Sequence, residues 1–549
     1  MKTLKKSSAF PLLLLLIASS SLCIPTSHSL AHVRSTDQES FTSVVISQKG
    51  LDFVKDLLIT QAISSMIPLR LPKIEKTVKI PVIGNVHMVA SNITIYNINV
   101  LSSYVKPGDS GVVIVASGAT CNLSMNWSYK YSTWVLVPIQ ISDKGSASVQ
   151  VEGMEVGLTL GLENRKGTLK LSLEDCGCYV KDISIKLNGG ASWLYQGMVD
   201  AFDEKIGSAV ENAITKKLKE GILKLDSFLQ ALPKDVPVDD HASLNVTFVD
   251  NPVLSNSSIG FDINGLFTAR ENFLFPYRLK NLQPSVLCPD QSKMLGISLD
   301  EAVFNSASVL YYDVSLENLT YYSNISTCSF STSLSLFAVY IFRRKLSFPC
   351  QAEFMQWIVD KVPDQSLLNT AGWRFIIPQL YKKYPKDDMD LNISLSSPPV
   401  IRISEHNIDA IVYADLIIDV LEADKVIPVV CISLVIRGSG SVKILGNKLG
   451  GSVKLNDFTM ALKWSQVGNL HMNLIQPIMW TAIQTVFLPY VNAHLGQGFP
   501  LPIIHGFTLK NGEIICSNSG ITICSDVKYT PSRMVKSYAQ TLVSRFAAL

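Results

Sequence analysis

The chain has 549 residues, of which 47% are hydrophobic and 17% charged, and its formal net charge is +3. This length exceeds a single hydrophobic core, so two or more domains are expected. Residues 33–232 carry 20 basic and 19 acidic side chains, which argues against a general nucleic-acid-binding protein. The mean hydropathy of +0.25 and the low charged fraction indicate a large core or a bound apolar ligand.

The N-terminus predicts a secretory signal peptide. Lys2, Lys5 and Lys6 precede an apolar segment over residues 10–18, and cleavage is expected between residues 20 and 31. No KDEL-type ending or lipid-anchor signal is expected. We therefore predict a secreted, extracellular monomer, in the apoplast if the source is a plant, with the vacuole as an alternative location.

The first element of the mature chain is predicted as a helix over residues 50–67, ended by Pro68. Its apolar stripe contains Leu51, Val54 and Leu58. A neighbouring set of apolar residues lies beside that stripe: Ile59, Ile63 and Met66.

Strands are predicted next. Residues 71–115 are expected to be extended, and residues 121–137 to form an aromatic hairpin. Apolar and polar residues then alternate from Met154 to Glu163, and again around residues 169–173 and 183–187, which is the period of β-strands.

A long helix is predicted from Trp193 to Leu232. Its apolar residues recur every four positions, and steps of four drift by about 40° each around an ideal helix. The helix must therefore curve, follow a curved partner, or break near Gly207 or Gly221.

A second module repeats this plan after a polar, proline-containing boundary at residues 232–237. A helix is predicted over residues 351–361 and a strand over residues 408–420. Strands through Trp464 precede a last helix over residues 478–495, which is expected to start after Pro477 and to kink at Pro489. A curved sheet closed by a long helix encloses an apolar interior, so the repeat predicts two interiors.

Three motifs resemble one family. Residues 45–53, Val-Ile-Ser-Gln-Lys-Gly-Leu-Asp-Phe, closely resemble the opening of the bactericidal/permeability-increasing and lipopolysaccharide-binding protein family, and residues 71–74, Leu-Pro-Lys-Ile, fit its next segment. Residues 498–502, Gly-Phe-Pro-Leu-Pro, resemble the landmark after its last long helix. The resemblance covers about residues 44–530 and is to the plant branch.

The resemblance implies an α+β fold of the tubular lipid-binding type. Two similar barrels, each a highly curved antiparallel sheet wrapped by a long helix, would form an elongated boomerang joined by a central antiparallel sheet. The implied divisions are a signal peptide at 1–30, an N-terminal barrel at 41–235, linker and central strands at 236–290, a C-terminal barrel at 291–499 and a return to the central sheet with a tail at 500–549.

The resemblance also concerns the cysteines. Family members usually tie a strand to the long N-terminal helix with a disulfide, but residues 193–232 contain no cysteine. Either Cys121 takes the partner role for Cys176 or Cys178, or packing alone holds the helix.

Nine of the ten cysteines remain after loss of Cys23 with the signal peptide, so at least one is unpaired. Cys516 and Cys524 are candidates to staple a hairpin, and Cys328 and Cys350 to bridge neighbouring strands. Eight sequons predict N-glycosylation: Asn92, Asn122, Asn126, Asn245, Asn256, Asn318, Asn324 and Asn392.

The first candidate site is basic. Arg70, Lys73, Lys76 and Lys79 lie within ten residues, with Glu75 as the single acid. Spacing by three places these lysines on no single strand face, so a loop or turn is predicted. Clustered cations attract phosphates, and the family resemblance implies the lipid A phosphates of lipopolysaccharide; the alternative is a solvated strand end.

The second candidate is the aromatic run from Trp127 to Trp134. On a strand, Trp127, Tyr129 and Tyr131 share one face and Lys130 lies on the other. Rings beside a cation suit a lipid–water boundary, so we assign membrane contact to Trp127, Tyr129, Tyr131 and Trp134 and add Lys130 to the lipopolysaccharide site. Ordinary packing on an edge strand is the alternative.

Apolar helix stripes are the third candidate. Such stripes are more often plain core than ligand wall, but the composition favours a mixture, with a bound phospholipid and no metal or other cofactor. The predicted lining is Leu51, Val54, Leu58, Met198, Phe202, Ile206, Val210, Met479, Ile483 and Phe487.

Catalysis has little support. Gly108-Asp109-Ser110-Gly111 is similar to a serine-protease nucleophile loop, but Val112 follows it, and neither His32 nor His87 lies in a suitable motif. Cys176 and Cys178 lack a second pair of metal ligands nearby.

We therefore predict a secreted lipopolysaccharide-binding protein that contacts the bacterial outer membrane and acts in innate defence against Gram-negative bacteria. The main alternative is a carrier that transfers host phospholipid or sterol ester between membranes. A secreted hydrolase is the second alternative.

Overall fold

The structure is a computed structural model that describes residues 39–80, 84–134, 138–188, 195–239, 242–269, 288, 292–312, 368–422, 425–504 and 506–530. The signal peptide, the helix predicted at 351–361, the pair Cys328 and Cys350, and the sequons Asn318 and Asn324 lie outside these residues. Within them, strands dominate and pair antiparallel.

The N-terminal half builds one eight-stranded antiparallel sheet from β2 to β9, whose ranges are given at the end of this paragraph. The main path of the sheet is β2-β4-β6-β7-β8, and β3 pairs with β4, β5 with β6 and β9 with β7. One face of this sheet packs into a continuous apolar core, as the alternation of apolar residues predicted. The strands are β2 (Leu69–Arg70), β3 (Ile74–Ile80), β4 (Gly84–Asn99), β5 (Ser102–Gly108), β6 (Gly111–Trp134), β7 (Pro138–Arg165), β8 (Thr168–Tyr179) and β9 (Asp182–Asn188).

The predicted hairpin at residues 121–137 is wrong. Residues 111–134 form the single strand β6, which pairs with β7 up to Trp134 opposite Pro138. Neither glycine nor proline occurs between Cys121 and Trp134, so the two strongest turn-forming residues are missing there. Register shifts near Ala119 mark bulges, which bend a long strand.

Two helices cross this sheet. Helix α1 (Gln48–Met66) begins after Ser47, whose hydroxyl accepts from the Gly50 amide, and ends before Pro68 as predicted. Helix α2 (Tyr195–Gln230) is continuous, so it does not break at Gly207 or Gly221. Four successive residues of its apolar stripe are buried and the next two only partly, as the drift of such a stripe requires: Phe202, Ile206, Val210 and Ile214, then Leu218 and Ile222.

The central sheet interleaves the two halves. Its order is β12 (Val253–Ser255), β13 (Ser258–Ile263), β1 (Thr42–Ser47), β15 (Leu295–Asp300), β23 (Gly520–Tyr529) and β22 (Phe507–Ser517). Strand β1 from the first half pairs directly with β15, so the halves share backbone hydrogen bonds. A three-stranded sheet lies beside the linker: β10 (Asp235–Pro237), β11 (Ala242–Asn245) and β14 (Phe267–Ala269).

A disulfide joins Cys288 to Cys524. The predicted staple between Cys516 and Cys524 is therefore wrong. The register explains this, because Cys516 lies opposite Ile521 whereas Cys524 lies opposite Glu513. Cys516 is a free thiol.

The C-terminal half repeats the plan with a second sheet: β16 (Asp388–Leu395), β17 (Val400–Ile403), β18 (Ile408–Glu422), β19 (Lys425–Leu445), β20 (Lys448–Ser465) and β21 (Phe499–Pro500). Strand β18 confirms the prediction for residues 408–420. The helical elements are α3 (residues 301–312), a 3₁₀ turn (Thr370–Trp373), α4 (Pro378–Lys383), α5 (Met472–Ala482) and α6 (Leu488–Leu495).

The last helix begins earlier than predicted. Pro477 lies inside α5 rather than before it. Because proline has no N–H, the carbonyl of Asn473 lacks its helical hydrogen-bond donor. Asn473 is exposed, so water can bond that carbonyl instead. A π-helical segment (Ile483–Phe487) joins α5 to α6 just before Pro489.

The stretch Met472–Leu495, with a mean hydropathy of 1.2, is long and apolar enough to cross a membrane by length and composition alone. Core helices of soluble proteins meet the same criterion. In the described structure Ile475, Met479 and Ile483 pack into the core of the second sheet.

Candidate functional site

Cations gather on the outward face of the N-terminal sheet near the β3–β4 and β6–β7 connections. Cross-strand partners share a face, and the register aligns Thr77, His87 and Lys130 across β3, β4 and β6. We call this surface the basic face; its charged and titratable residues are Lys73, Glu75, Lys79, His87, Lys130 and Lys144.

One carboxylate lies within the basic face. Lys73 hydrogen-bonds and ion-pairs with Glu75 and lowers the pKa of that carboxyl, with smaller contributions from His87 and Lys130. The His87 ring lies 4.0 Å from Glu75 through Nε2 and 3.3 Å from the Thr77 hydroxyl through Nδ1.

The other three lysines of the basic face are free of such pairing. Within the described residues Lys79, Lys130 and Lys144 form no ion pair with a carboxylate, and all three are exposed. They are therefore open to an anionic ligand.

The predicted loop around residues 73–79 is wrong, because β3 is a strand. Lys76 lies on its inward face, opposite Met88, while Lys79 lies on the outward face. Inward-facing Ile74, Val78 and Ile80 set this register. Arg70 is exposed on β2, opposite Thr94. The structure thus brings Lys73, Lys79 and Lys130 together and adds Lys144, which the sequence did not single out.

The aromatic run lies on the opposite face. Trp127 and Tyr129 are 1% and 5% exposed, so the prediction that they contact a membrane is corrected to core packing. Strand β6 lies between β4 and β7 rather than at an edge, and its inward face packs into the apolar core that it shares with α2. The rings of Trp127 and Tyr129 stack with centroids 6.1 Å apart, and Tyr131, half-buried, continues the stack.

Two exposed isoleucines end this inward face. Ile139 and Ile141 are 42% and 38% exposed and lie opposite Thr133 and Tyr131. Sequence reasoning stopped at Trp134, whose side chain lies outside the described structure. The alternation of Pro138-Ile139-Gln140-Ile141 was the available signal.

An apolar cavity of about 80 Å³ lies deeper between both helices and the sheet. The α1 residues that line it include Ile59, Ile63 and Met66, the set beside the predicted apolar stripe of that helix. Its lining is entirely apolar: Ile59, Ala62, Ile63, Met66, Ile98, Val100, Ile114, Ala116, Ala119, Met154, Val156, Leu158, Ile214 and Leu218.

None of the predicted pocket residues whose side chains are described lines this cavity. Leu51 packs against Val105, Val112 and Leu160, and the half-buried Val54 and Leu58 are also not among the lining residues. The others pack in the core of the first sheet (Phe202, Ile206, Val210) or of the second (Met479, Ile483, Phe487). The side chain of Met198 lies outside the described structure.

The motif around Ser110 forms a two-residue hairpin turn. Gly108 pairs with Gly111, leaving Asp109 and Ser110 exposed between β5 and β6. Gly111 has a φ of +113°, and a Cβ there would lie 2.4 Å from the Leu160 carbonyl oxygen, so backbone geometry explains the glycine. Among the described residues no group of three or more His, Cys, Asp or Glu side chains is placed to hold a metal ion.

Free thiols line the sheet beneath α2. Cys121, Cys176 and Cys178 are unbonded, so in this structure packing and hydrogen bonds hold α2. Burial raises the pKa of Cys121 to about 12, and burial, helped by Glu211, raises that of Cys178 to about 12.

We expect these two thiols to resist alkylation in the native protein. At pH 8 a pKa near 12 leaves roughly one thiol in ten thousand as the reactive thiolate. Mass spectrometry after maleimide treatment should show Cys121 and Cys178 modified only in denaturant. Rapid native labelling of both would contradict their burial.

Six described sequons lie on strands or next to a strand, and their exposure differs. Asn92, Asn126 and Asn392 are exposed, whereas Asn122 is half-buried. Asn256 is exposed between β12 and β13. Asn245 differs, because its side-chain oxygen accepts hydrogen bonds from the amide and hydroxyl of Thr247 in its own sequon.

Known proteins match this chain over most of its length. Family models of the LBP/BPI/CETP N-terminal and C-terminal domains match residues 50–232 and 337–529. An Arabidopsis thaliana protein named as a BPI/LBP family member is 60% identical, covering 91% of this chain and 95% of its own length. Human lipopolysaccharide-binding protein is 23% identical, covering 88% and 92%.

Among solved structures, the crystal structure of lipopolysaccharide binding protein matches with a TM-score of 0.57 and 20% identity, covering 90% of this chain and 100% of that one. The fold is therefore the elongated two-barrel boomerang with a central sheet. By its two domain matches and its Arabidopsis relative, the chain belongs to the LBP/BPI/CETP family of lipid-binding proteins, in the plant branch.

Proposed function

We propose that this protein is secreted, binds bacterial lipopolysaccharide through its basic face and acts in innate defence against Gram-negative bacteria. The single observation that carries the proposal is the set of exposed lysines on one sheet face, Lys79, Lys130 and Lys144, which form no ion pair with a described carboxylate. Lipid A presents phosphates to such a surface, and ammonium groups bind phosphate oxygens by charge and hydrogen bond.

The two faces of the same strands suit an amphipathic ligand. The outward face carries the lysines, and the inward face ends in exposed Ile139 and Ile141. Phosphates can therefore meet the lysines while acyl chains contact the isoleucines. This arrangement supports peripheral contact with an outer membrane, made by isoleucines rather than by the aromatic run.

We expect the triple variant Lys79→Ala, Lys130→Ala, Lys144→Ala to bind lipopolysaccharide about 10- to 150-fold more weakly at low salt. Each exposed contact contributes about 0.5–1 kcal/mol, so three sum to about 1.5–3 kcal/mol. Titration of fluorescent lipopolysaccharide at rising salt measures this, because screening should shrink the difference.

The matched control replaces three exposed lysines of the C-terminal sheet, Lys443, Lys448 and Lys454, with alanine. It removes the same net charge and should keep wild-type affinity. Equal loss in both triples would indicate a non-local charge effect, and unchanged affinity of the first triple would overturn the recognition site.

A second function is favoured by the cavity under α1 and α2, whose lining is entirely apolar. Such a lining suits acyl chains or a sterol ester of any source, as in a carrier that moves host lipid between membranes. Transfer of labelled phosphatidylcholine or cholesteryl ester between phosphatidylcholine vesicles, unaffected by the Lys79, Lys130 and Lys144 substitutions, would favour this carrier over lipopolysaccharide recognition.

The proposed extracellular location predicts N-glycans. We expect exposed Asn126, Asn256 and Asn392 to carry them. Asn245 is expected to carry the least, because its side chain is already bonded to Thr247. Mass spectrometry of glycopeptides from plant-expressed protein tests this, and full occupancy at Asn245 would contradict it.

A further inference from the structure

Helix α2 covers an open edge of the N-terminal sheet. Strand β8 ends the path of that sheet and pairs only with β7 among the described strands. Helix α2 packs along β8 and β9 and also reaches β3 near the opposite edge. An uncovered edge strand leaves N–H groups without partners, so the helix must supply acceptors or leave those groups to water.

Two carboxylates on α2 supply these acceptors. Asp226 Oδ1 accepts from the Leu171 amide at 2.8 Å, and Glu211 Oε1 accepts from the Val180 amide, just after β8, at 2.8 Å. A charged acceptor makes a stronger hydrogen bond than a neutral one. These bonds help to hold the helix to the sheet. No disulfide from the helix can do so, because residues 193–232 contain no cysteine.

The two halves of α2 are held unequally. Phe202, Ile206 and Val210 are at most 1% exposed. Beyond Ile214 no apolar side chain of the helix is fully buried, and Leu223 and Phe228 are 67% and 51% exposed. Partly buried Ile222, Leu225 and Leu229 still pack against a smaller apolar cluster. Local opening starts where apolar contacts resist it least, which here is the C-terminal half.

A glycine lies within the C-terminal half of α2. Gly221 is exposed, and a Cβ added there would meet nothing within 4 Å, so no close approach requires a glycine at this position. Glycine within a helix weakens it. Ile214 and Leu218, just before this point, line the apolar cavity.

We propose that residues 215–230 of α2 form a flap, that the Asp226–Leu171 hydrogen bond latches it, and that acyl chains enter the cavity when this segment, which Gly221 weakens, lifts from the sheet. The entry step rests on the proposed lipid-binding function, whereas the latch itself does not. Glu211 lies in the firmly packed half and holds that half in place without gating entry.

The test measures uptake of fluorescent phosphatidylcholine from self-quenched phosphatidylcholine vesicles by the full-length protein. Asp226→Ala should load about tenfold faster, the effect of losing one charge-assisted hydrogen bond on an opening equilibrium. Gly221→Ala should load about fivefold more slowly, because alanine strengthens the helix. Glu211→Ala, which loses the same kind of bond, is the matched control and should stay within about twofold of wild type.

Amide hydrogen exchange tests the latch without lipid. In Asp226→Ala the Leu171 amide and residues 215–230 should lose protection, while residues 202–214 keep theirs. Unchanged protection and an unchanged loading rate would overturn the flap, as would equal acceleration by Glu211→Ala. If the wild type takes up no phosphatidylcholine or lipopolysaccharide, the proposed function fails, and exchange alone still decides whether the flap exists.

Discussion

Replacing Trp127 with alanine should lower the free energy of unfolding by about 3–5 kcal/mol, the cost of emptying a large buried aromatic site. Trp127 is 1% exposed, stacks on Tyr129, and donates its indole N–H to the Ser146 carbonyl at 3.0 Å. The change removes all of these contacts from the centre of the first sheet. Urea denaturation followed by far-UV circular dichroism measures the effect.

Trp464 provides the control, since it is 41% exposed on β20 of the second sheet. Trp464→Ala should cost under about 1 kcal/mol. If Trp127→Ala instead kept full stability and lost only vesicle or lipopolysaccharide binding, Trp127 would be a surface contact and the inward orientation of the aromatic run would be wrong.

Replacing Cys524 with serine should cost about 2–5 kcal/mol, the usual range for loss of a native disulfide. The bond to Cys288 closes a loop with a sequence separation of 236 residues, so its removal frees much of the unfolded chain. The substitution also removes the covalent link between residue 288 and strand β23, which pairs with β15 in the central sheet. We therefore expect the thermal midpoint to fall and exchange in the central sheet to rise.

Cys516→Ser is the matched control from the neighbouring strand. Cys516 is unbonded and half-buried, so this change should cost under about 1 kcal/mol. Peptide mapping without reduction should recover Cys524 joined to Cys288. Equal destabilisation by the two serine variants, or recovery of a disulfide-linked Cys516–Cys524 peptide, would indicate that Cys524 pairs with Cys516 rather than with Cys288.

The sequence grouped part of the basic face correctly, and lipopolysaccharide binding by these residues stays a prediction. Lys73, Lys79 and Lys130 were all predicted to act together, and the structure places them on one face. Lys144 was missed because it lies fourteen residues beyond Lys130 in the chain and becomes its neighbour only through the pairing of β6 with β7.

Lys76 shows the opposite case. Its spacing from Lys73 and Lys79 looked like a loop, yet it occupies an inward position opposite Met88. Burial of Ile74, Val78 and Ile80 outweighs the position of one lysine, because a slip of one residue would expose the whole apolar set. Sequence spacing alone does not weigh these energies against each other.

The amino-acid sequence by itself determined helices α1 and α2, most strands, the two-module plan and the family, because period and short motifs are local properties of the chain. Tertiary structure decided which face of each strand is inside, which cysteines meet and how the edge of the first sheet is covered. A period of two defines an apolar and a polar face but does not say whether the apolar face will pack in the core or meet a membrane. That choice depends on pairing between residues far apart in the chain, as when β6 buries Trp127 between β4 and β7 and leaves Lys130 in water.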